Sequence, residues 1–124
     1  MSYQWDNKKP TAQMLGRWQP FHDGHYKLFK EIIKKTGQVC IQIRDVQGVD
    51  DNPFDFDTVK KNIEDRLNPE FEGRFKVIVV PNITNICYGR GVGYKIEEIV
   101  LDEETQKISA TKIRAKMREE GKLK

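Results

Sequence analysis

The order of its elements predicts that this chain folds as an α/β protein, a doubly wound parallel sheet in a single domain. Short apolar runs alternate with amphipathic runs in the order β-α-β-α-β-β. The connections between successive strands are long enough to hold crossover helices, which parallel strands require. At 124 residues the chain can bury one modest core, and no internal repeat or linker divides it. We therefore expect one domain over residues 1–124, with residues 1–11 as a flexible arm that Tyr3 and Trp5 could anchor.

Hydrophobic periodicity places the individual elements. In chain order they are a strand at 12–15, a helix at 26–35, a strand at 38–44, a helix at 58–67, a strand at 74–80, shorter strands at 85–88 and 96–101, an exposed acidic turn at 102–107, and a helix at 111–121. Asp23 is expected to cap the first helix, Asp57 or Thr58 the second, and Pro69 to end the second. The unbroken β-branched run at 77–80 predicts a strand that is buried on both faces.

Composition narrows the class of protein. The formal charge is +3, and 33% of the residues are charged against 37% hydrophobic, which is typical of globular proteins. So mild a charge suits small anionic metabolites and argues against a nucleic-acid partner. No apolar run approaches the roughly 20 residues that span a bilayer, so no membrane partner is expected. Since the first residues also lack the apolar segment of a signal peptide, and Cys40 and Cys87 have no paired spacing, we expect a cytoplasmic location with both thiols reduced.

The loop at 16–25 joins the first strand to the first helix and carries both histidines of the chain. His22 lies in the loop and His25 in the first helical turn. A helix N-terminus attracts phosphate through its free amides and its dipole, and both imidazoles could point at such a ligand. The alternative interpretation makes His25 a core residue and His22 a hydrogen-bonding residue of the loop. We predict no metal site, because two histidines without a third strong ligand are too few.

Two sequence motifs resemble those of a known superfamily. The first, Gly16-Arg17-Trp18-Gln19-Pro20-Phe21-His22-Asp23-Gly24-His25, closely resembles the G-R-F-Q-P-F-H-x-G-H form of the HxGH motif in HIGH-type nucleotidyltransferases. The second, Ile108-Ser109-Ala110-Thr111-Lys112-Ile113-Arg114, resembles that superfamily's I-S-x-T-x-I/L-R/K motif. The resemblance implies a Rossmann-like domain that transfers a nucleoside monophosphate from a nucleoside triphosphate to a small phosphorylated metabolite, with Mg²⁺ on the triphosphate and release of pyrophosphate.

The resemblance also implies a role for particular residues. The implied catalytic residues are His22 and His25, which would donate to the α- and β-phosphates with help from the amides of the first helix, and Arg114, which would hold the β- and γ-phosphates. The other implied nucleotide-binding residues are Gly16, Arg17, Trp18, Gly24, Gly89, Arg90, Ser109, Thr111 and Lys112. Gly89 and Arg90 begin a glycine-rich turn, 89–93, that fits neither a Walker A loop nor G-x-G-x-x-G. In the superfamily, a glycine-containing loop at this point lies beside the nucleotide.

The nucleotide and the acceptor are left open between two branches of the superfamily. The Gly-Arg-Trp-Gln-Pro form of the first motif favours adenylyl transfer. The length of the chain and the run Ser109-Ala110-Thr111-Lys112 are instead similar to the small glycerol-3-phosphate cytidylyltransferases. A catalytically idle nucleotide-binding regulatory module would use the same residues and is a third alternative. The acceptor and a homodimeric state are also left open.

Overall fold

Three parallel strands and the helices that connect them form the α/β architecture that the sequence predicts. The computed structural model describes residues 3–46, 52–90 and 96–121. The strands are β1 (Ala12–Gly16), β2 (Val39–Arg44) and β3 (Phe75–Val80), and they lie in the order β1-β2-β3 with parallel register throughout. The helices are α1 (Asp23–Thr36), α2 (Phe56–Phe71), α3 (Glu103–Gln106) and α4 (Ala110–Glu119). The α/β class and the Rossmann-like parallel sheet are therefore confirmed.

The core lies between one face of the sheet and the first two helices. The inward side chains of β2 are Val39, Ile41 and Ile43, and all three are fully buried. They share one cluster with the apolar stripes of the two helices, which are Phe29, Ile32 and Ile33 of α1 and Val59, Ile63 and Leu67 of α2. Because each helix follows a strand of a parallel sheet, both begin near the carboxyl ends of the strands, where open parallel sheets bind ligands.

Helix α2 differs from its predicted form at both ends. It starts after Asp55, whose carboxylate accepts a hydrogen bond of 2.8 Å from the amide of Thr58, so the expected caps Asp57 and Thr58 are wrong. It also continues through Pro69 to Phe71, although a proline removes one helical hydrogen bond. Phe71 lies one turn beyond the buried Leu67, and its ring contacts that of Phe29 at 5.0 Å. The extension thus packs the partly buried Phe71 against the core.

The exposure of β3 and the structure of the segments that follow it differ from the prediction. Ile78 is 40% exposed and Val79 is 46% exposed, although they point to opposite faces of β3, which is the edge strand among the described residues. The strands predicted at 85–88 and 96–101 are wrong, since neither run pairs with a strand edge where the structure describes it. The acidic segment is helical at α3, where Thr105 is buried instead of exposed.

The beginning of the described chain is anchored to the body through Gln38. The hydroxyl of Tyr3 donates to Oε1 of Gln38 at 3.0 Å, and Nε2 of Gln38 donates to the carbonyl of Asp6 at 2.8 Å. Gly73, with φ of 82°, lets the backbone of Tyr3 approach, since a Cβ there would lie 2.5 Å from its carbonyl oxygen. The expected anchoring by Tyr3 is thus confirmed. Within the ranges described, none of the helices combines the length and the apolar character needed to cross a bilayer.

Candidate functional site

The loop after β1 is shaped by a tryptophan that folds back over a glycine. A Cβ at Gly16 would lie only 2.7 Å from Cζ2 of Trp18, so the ring can occupy this position only above a glycine. Trp18 is 6% exposed, and its indole N–H donates to the carbonyl of Gln42 at 3.0 Å. Its ring meets that of His25 edge-on, with centroids 4.7 Å apart. The structure therefore places Trp18 in the core beneath the histidines.

The two histidines cap helix α1 by bonding to each other's backbone. Nδ1 of His22 accepts from the amides of Gly24 at 3.0 Å and of His25 at 3.4 Å. Nδ1 of His25 in turn accepts from the amide of His22 at 3.2 Å. This is the reciprocal arrangement of a capping box, with imidazoles in place of the usual Ser and Glu side chains. Asp23, the predicted cap, instead lies in the first turn and accepts from Nη2 of Arg66 at 2.8 Å.

These hydrogen bonds determine which nitrogen of each ring carries the proton. A nitrogen that accepts from an amide has no proton, so each neutral ring keeps its proton on Nε2 and can donate from there. Burial and, to a smaller extent, the neighbouring His22 together lower the pKa of His25 to about 3. Burial also lowers the pKa of His22, against the opposing effect of Asp23. Both rings are thus neutral N–H donors near pH 7.

The capping box changes how the helix could meet an anion. The amides of Gly24 and His25 donate to His22, and the amide of Tyr26 donates to the carbonyl of His22 at 2.9 Å. Without a ligand, the amides of Gly24 and His25 are therefore not free, and contact of first-turn amides with the phosphates stays a prediction. An amide that donates to one nitrogen of an imidazole polarises the N–H on the other side of the ring. The positive end of the helix can therefore act on a ligand through the His22 ring.

Gly24 makes room for this arrangement. It is buried, and a Cβ at this position would lie 2.8 Å from Cε1 and 3.0 Å from Nδ1 of His22. The two imidazole rings stack with centroids 3.6 Å apart and planes inclined by 18°. Any side chain at residue 24 would push the His22 ring out of the capping position. The glycine between the two histidines is therefore a requirement of their packing.

The second motif lies against the first. Ser109 caps helix α4 by accepting from the amide of Lys112 at 3.4 Å. Arg114, one turn further on, is 3% exposed, and its Nη1 donates to the carbonyl of Gln19 at 2.5 Å while its Nη2 donates to Oγ1 of Thr111 at 3.4 Å. The structure thus joins residues that are 95 positions apart in the chain and brings Arg114 to the histidine loop.

Several other predicted site residues are exposed. Arg17 is exposed, and its Nη1 donates to Oδ1 of Asn52 at 3.4 Å. Thr111 and Lys112 are exposed on helix α4. Gly89 and Arg90 are also exposed, and no recorded contact joins them to the histidines, while the rest of that turn, 91–93, lies outside the described residues.

One buried polar residue of the first motif had no role assigned from the sequence. Gln19 is 2% exposed, and both ends of its side-chain amide bond to the backbone of Phe54 at 2.9 Å. Its carbonyl is the acceptor for Arg114. The only signal in the sequence was a glutamine between two bulky, conformationally restricted neighbours, Trp18 and Pro20. Its partners lie 35 and 95 positions away, so no local pattern reveals them.

The described residues offer a triphosphate hydrogen-bond donors but no dedicated metal centre. Across residues 3–46, 52–90 and 96–121, no three His, Cys, Asp or Glu side chains are grouped so as to hold a metal ion. Mg²⁺ on a triphosphate needs no such cluster, because phosphate oxygens and water can complete its octahedral shell. A magnesium–nucleotide complex therefore fits the donor set that is present.

Comparison with known proteins finds similarity over part of the chain. No family model matches. The chain is 44% identical over 45 residues to a nicotinamide-nucleotide adenylyltransferase of Methanococcus aeolicus, a match that covers 35% of this chain and 26% of that protein. It is also 44% identical over 36 residues to the enzymes of that name from two strains of Methanococcus maripaludis, covering 29% of this chain and 21% of each relative. The matches thus span about a quarter or less of the relatives' length. Over that segment, the chain is similar to members of the nucleotidyltransferase superfamily.

Proposed function

We propose that this chain is a nucleotidyltransferase of the adenylyl-transferring type, which transfers AMP from ATP to a small phosphorylated metabolite and releases pyrophosphate. The observation that carries the proposal is the reciprocal histidine capping box, which leaves two neutral imidazoles with Nε2–H donors at the start of α1. Arg114 supplies a guanidinium that contacts the same loop at the carbonyl of Gln19. The partial similarity to nicotinamide-nucleotide adenylyltransferases supports the same activity.

In the proposed reaction, a phosphate oxygen of the acceptor attacks the α-phosphorus of the nucleotide. A new P–O bond forms as the bond between the α-phosphorus and the bridging oxygen breaks, and pyrophosphate leaves with that electron pair. Such transfers depend mainly on alignment of the two anions and on stabilisation of charge at the phosphoryl oxygens. His22 and His25 supply this stabilisation by donating to oxygens of the α- and β-phosphates. Neutral rings can do this because each keeps a proton on Nε2 that it can donate to a phosphate oxygen.

The triphosphate tail is proposed to lie on the side of helix α4. Arg114 binds the β- and γ-phosphates, with assistance from Ser109, Thr111 and Lys112 at the start of the helix. Mg²⁺ neutralises charge on the triphosphate when it is bound. Arg114 already donates to the carbonyl of Gln19, which orients its guanidinium relative to the histidine loop before any nucleotide arrives.

Adenine is favoured over cytosine by the form of the first motif and by the relatives. The relatives carry the name nicotinamide-nucleotide adenylyltransferase, and we extend this to a proposed acceptor class, nucleotides that bear one 5′-phosphate, with nicotinamide mononucleotide as the first to test. Cytidylyl transfer and binding without turnover are the alternative outcomes.

A pyrophosphate-release assay tests the proposal directly. The protein is incubated with Mg²⁺ and either ATP or CTP, together with nicotinamide mononucleotide, glycerol-3-phosphate or other phosphorylated metabolites. We expect turnover with ATP and a mononucleotide, with kcat/KM at least about tenfold above that for CTP, because each buried polar group left unpaired by the wrong base costs roughly 1–3 kcal/mol. Turnover only with CTP and glycerol-3-phosphate would establish the cytidylyl alternative. Binding of ATP without turnover on any acceptor would establish the idle module.

Histidine variants connect the activity to the site. Loss of one transition-state donor costs roughly 3 kcal/mol, so His22→Ala and His25→Ala should each lower kcat about a hundredfold, with little change in the affinity for ATP. Gln13→Ala is the matched control, since Gln13 is exposed on β1 and its side chain donates to that of Gln42. Folded histidine variants that turn over at the rate of Gln13→Ala would refute the proposed role of the imidazoles.

A further inference from the structure

We infer, on the basis of the proposed function, that Gln19 is a positioning residue that aligns Arg114 with the triphosphate. It contacts no proposed substrate group itself. Its side chain holds the turn at 52–55, and its backbone carbonyl accepts from the guanidinium of Arg114 in helix α4. One residue thus connects the histidine loop, a turn after β2, and the second motif.

The side chain of Gln19 is locked in one position. Nε2 donates to the carbonyl of Phe54 and Oε1 accepts from its amide, both at 2.9 Å. A carboxamide carries a donor and an acceptor on one planar end and so matches both backbone groups of a single residue, as a paired strand would. Asparagine has the same end group but is one methylene shorter. With 2% of its surface exposed, Gln19 cannot replace these bonds with water.

A second contact joins the same turn to the loop. Nη1 of Arg17 donates to Oδ1 of Asn52 at 3.4 Å, and Asn52 is 5% exposed. The turn therefore meets the loop at two positions, on either side of Trp18, whose φ of 54° is unusual for a residue with a side chain. These contacts hold the backbone of the loop in an uncommon conformation where its carbonyl must meet Arg114.

The position of that carbonyl controls the guanidinium. Arg114 is 3% exposed and donates to Gln19 through Nη1 at 2.5 Å, so movement of the Gln19 backbone would move or reorient the guanidinium. A displacement of about 1 Å in a phosphate-positioning group can cost on the order of a hundredfold in rate. Loss of the Gln19 side-chain bonds should therefore act on the β- and γ-phosphates more than on the base or the α-phosphate.

The test compares nucleotides with and without the phosphate tail. The affinities of wild-type protein, Gln19→Met, Arg114→Ala and the double variant for ATP and for AMP are measured by calorimetry with Mg²⁺. Methionine is close to glutamine in size and uncharged but cannot make either bond to Phe54. We expect Gln19→Met to weaken ATP binding about tenfold and AMP binding less than twofold. We expect the double variant to bind ATP no more weakly than Arg114→Ala, because both changes remove the same interaction.

The control is Gln13→Met, which replaces an exposed glutamine of β1 and should leave both affinities unchanged. A purely structural role for Gln19 predicts a different pattern, with equal losses for ATP and AMP and losses that multiply in the double variant. Either result, or an affinity for ATP equal to that of Gln13→Met, would overturn the positioning role.

A measurement without nucleotide separates this inference from the proposed function. In NMR spectra of the ligand-free protein, Gln19→Glu should shift the Nε–H resonance of Arg114. Glutamate keeps the acceptor for the amide of Phe54 but replaces the donor with an oxygen that faces the carbonyl of Phe54, so this variant disturbs the contact if Gln19→Met does not fold. An unchanged Arg114 resonance would overturn the inference. If the wild-type protein binds neither ATP nor AMP while the resonance still shifts, the proposed function fails and the coupling stands.

Discussion

The substitution Gly24→Ala, which adds a methyl group, should lower the activity of this protein strongly and change its stability little. In Gly24→Ala the new Cβ would lie 2.8 Å from Cε1 and 3.0 Å from Nδ1 of His22, closer than real Cβ contacts allow. On its other side lies the carbonyl oxygen of Thr105, at 3.6 Å. The nearest group that can move is the His22 imidazole, so the ring should rotate away and give up its bonds to the amides of Gly24 and His25.

The two effects on stability nearly cancel. Loss of an N-cap side chain costs about 1 kcal/mol, within a range of roughly 0.5–2 kcal/mol. Replacement of glycine by alanine inside a helix stabilises it by roughly 0.5–1 kcal/mol, because the unfolded chain loses conformational freedom. The φ of Gly24 lies outside the left-handed region, so the backbone adds no strain. The net change in the free energy of unfolding should therefore stay within about 1 kcal/mol of zero.

Activity should respond very differently. Without its amide partners, the His22 ring is neither held in place nor restricted to the tautomer with N–H at Nε2. The loss of one oriented donor corresponds to roughly 3 kcal/mol in the transition state, or about a hundredfold in kcat. Thermal unfolding and pyrophosphate release, measured on the same preparation, test both parts. A Gly24→Ala protein with wild-type kcat would refute the claim that this glycine maintains the histidine geometry.

Gly37→Ala is the matched control. Gly37 ends helix α1 with φ of 82°, and the space around its missing Cβ is open to 4 Å. Alanine is strained at this φ by about 1–2 kcal/mol, so the melting temperature should fall by several degrees. Because Gly37 lies at the opposite end of α1 from the histidines, kcat at 25 °C should remain unchanged. The two glycine variants should therefore show opposite patterns of stability and activity.

Two further predictions follow from the same contacts. His25 has a pKa of about 3 in the folded protein and near 6.5 in the unfolded chain. Between pH 7 and pH 5 the unfolded chain therefore takes up a proton at His25, and the folded protein does not. The free energy of unfolding should thus fall by about 1–2 kcal/mol as the pH drops from 7 to 5. Urea titrations at several pH values should show a smaller dependence of this free energy on pH for His25→Asn; an equal dependence would contradict the lowered pKa. Arg114→Lys should recover only part of the ATP affinity that Arg114→Ala loses, because a point charge cannot replace the planar guanidinium. Full recovery, measured by calorimetry, would contradict specific use of the guanidinium.

Local pattern was sufficient to predict much of the fold. Helix α1 buries Phe29, Ile32 and Ile33 as its spacing predicts, because side chains three and four positions apart share a helix face whatever packs on it. The strands β1, β2 and β3 lie within one or two residues of their predicted bounds. The segment 96–101 shows where this fails, since an apolar run becomes a strand only if an edge is available to pair with it, and that depends on the rest of the sheet.

By itself, the sequence determined that two histidines and an arginine occur in motifs at the two ends of the chain, and that the histidines lie at the start of a helix. Only the tertiary structure decided that His22 is the cap, that each imidazole presents Nε2–H, and that Arg114 meets the histidine loop through the carbonyl of Gln19. The reason is physical. Periodicity records which side of an element is apolar, whereas the tautomer of a ring and the position of a buried guanidinium depend on hydrogen-bond partners that only the folded chain brings within 3.5 Å.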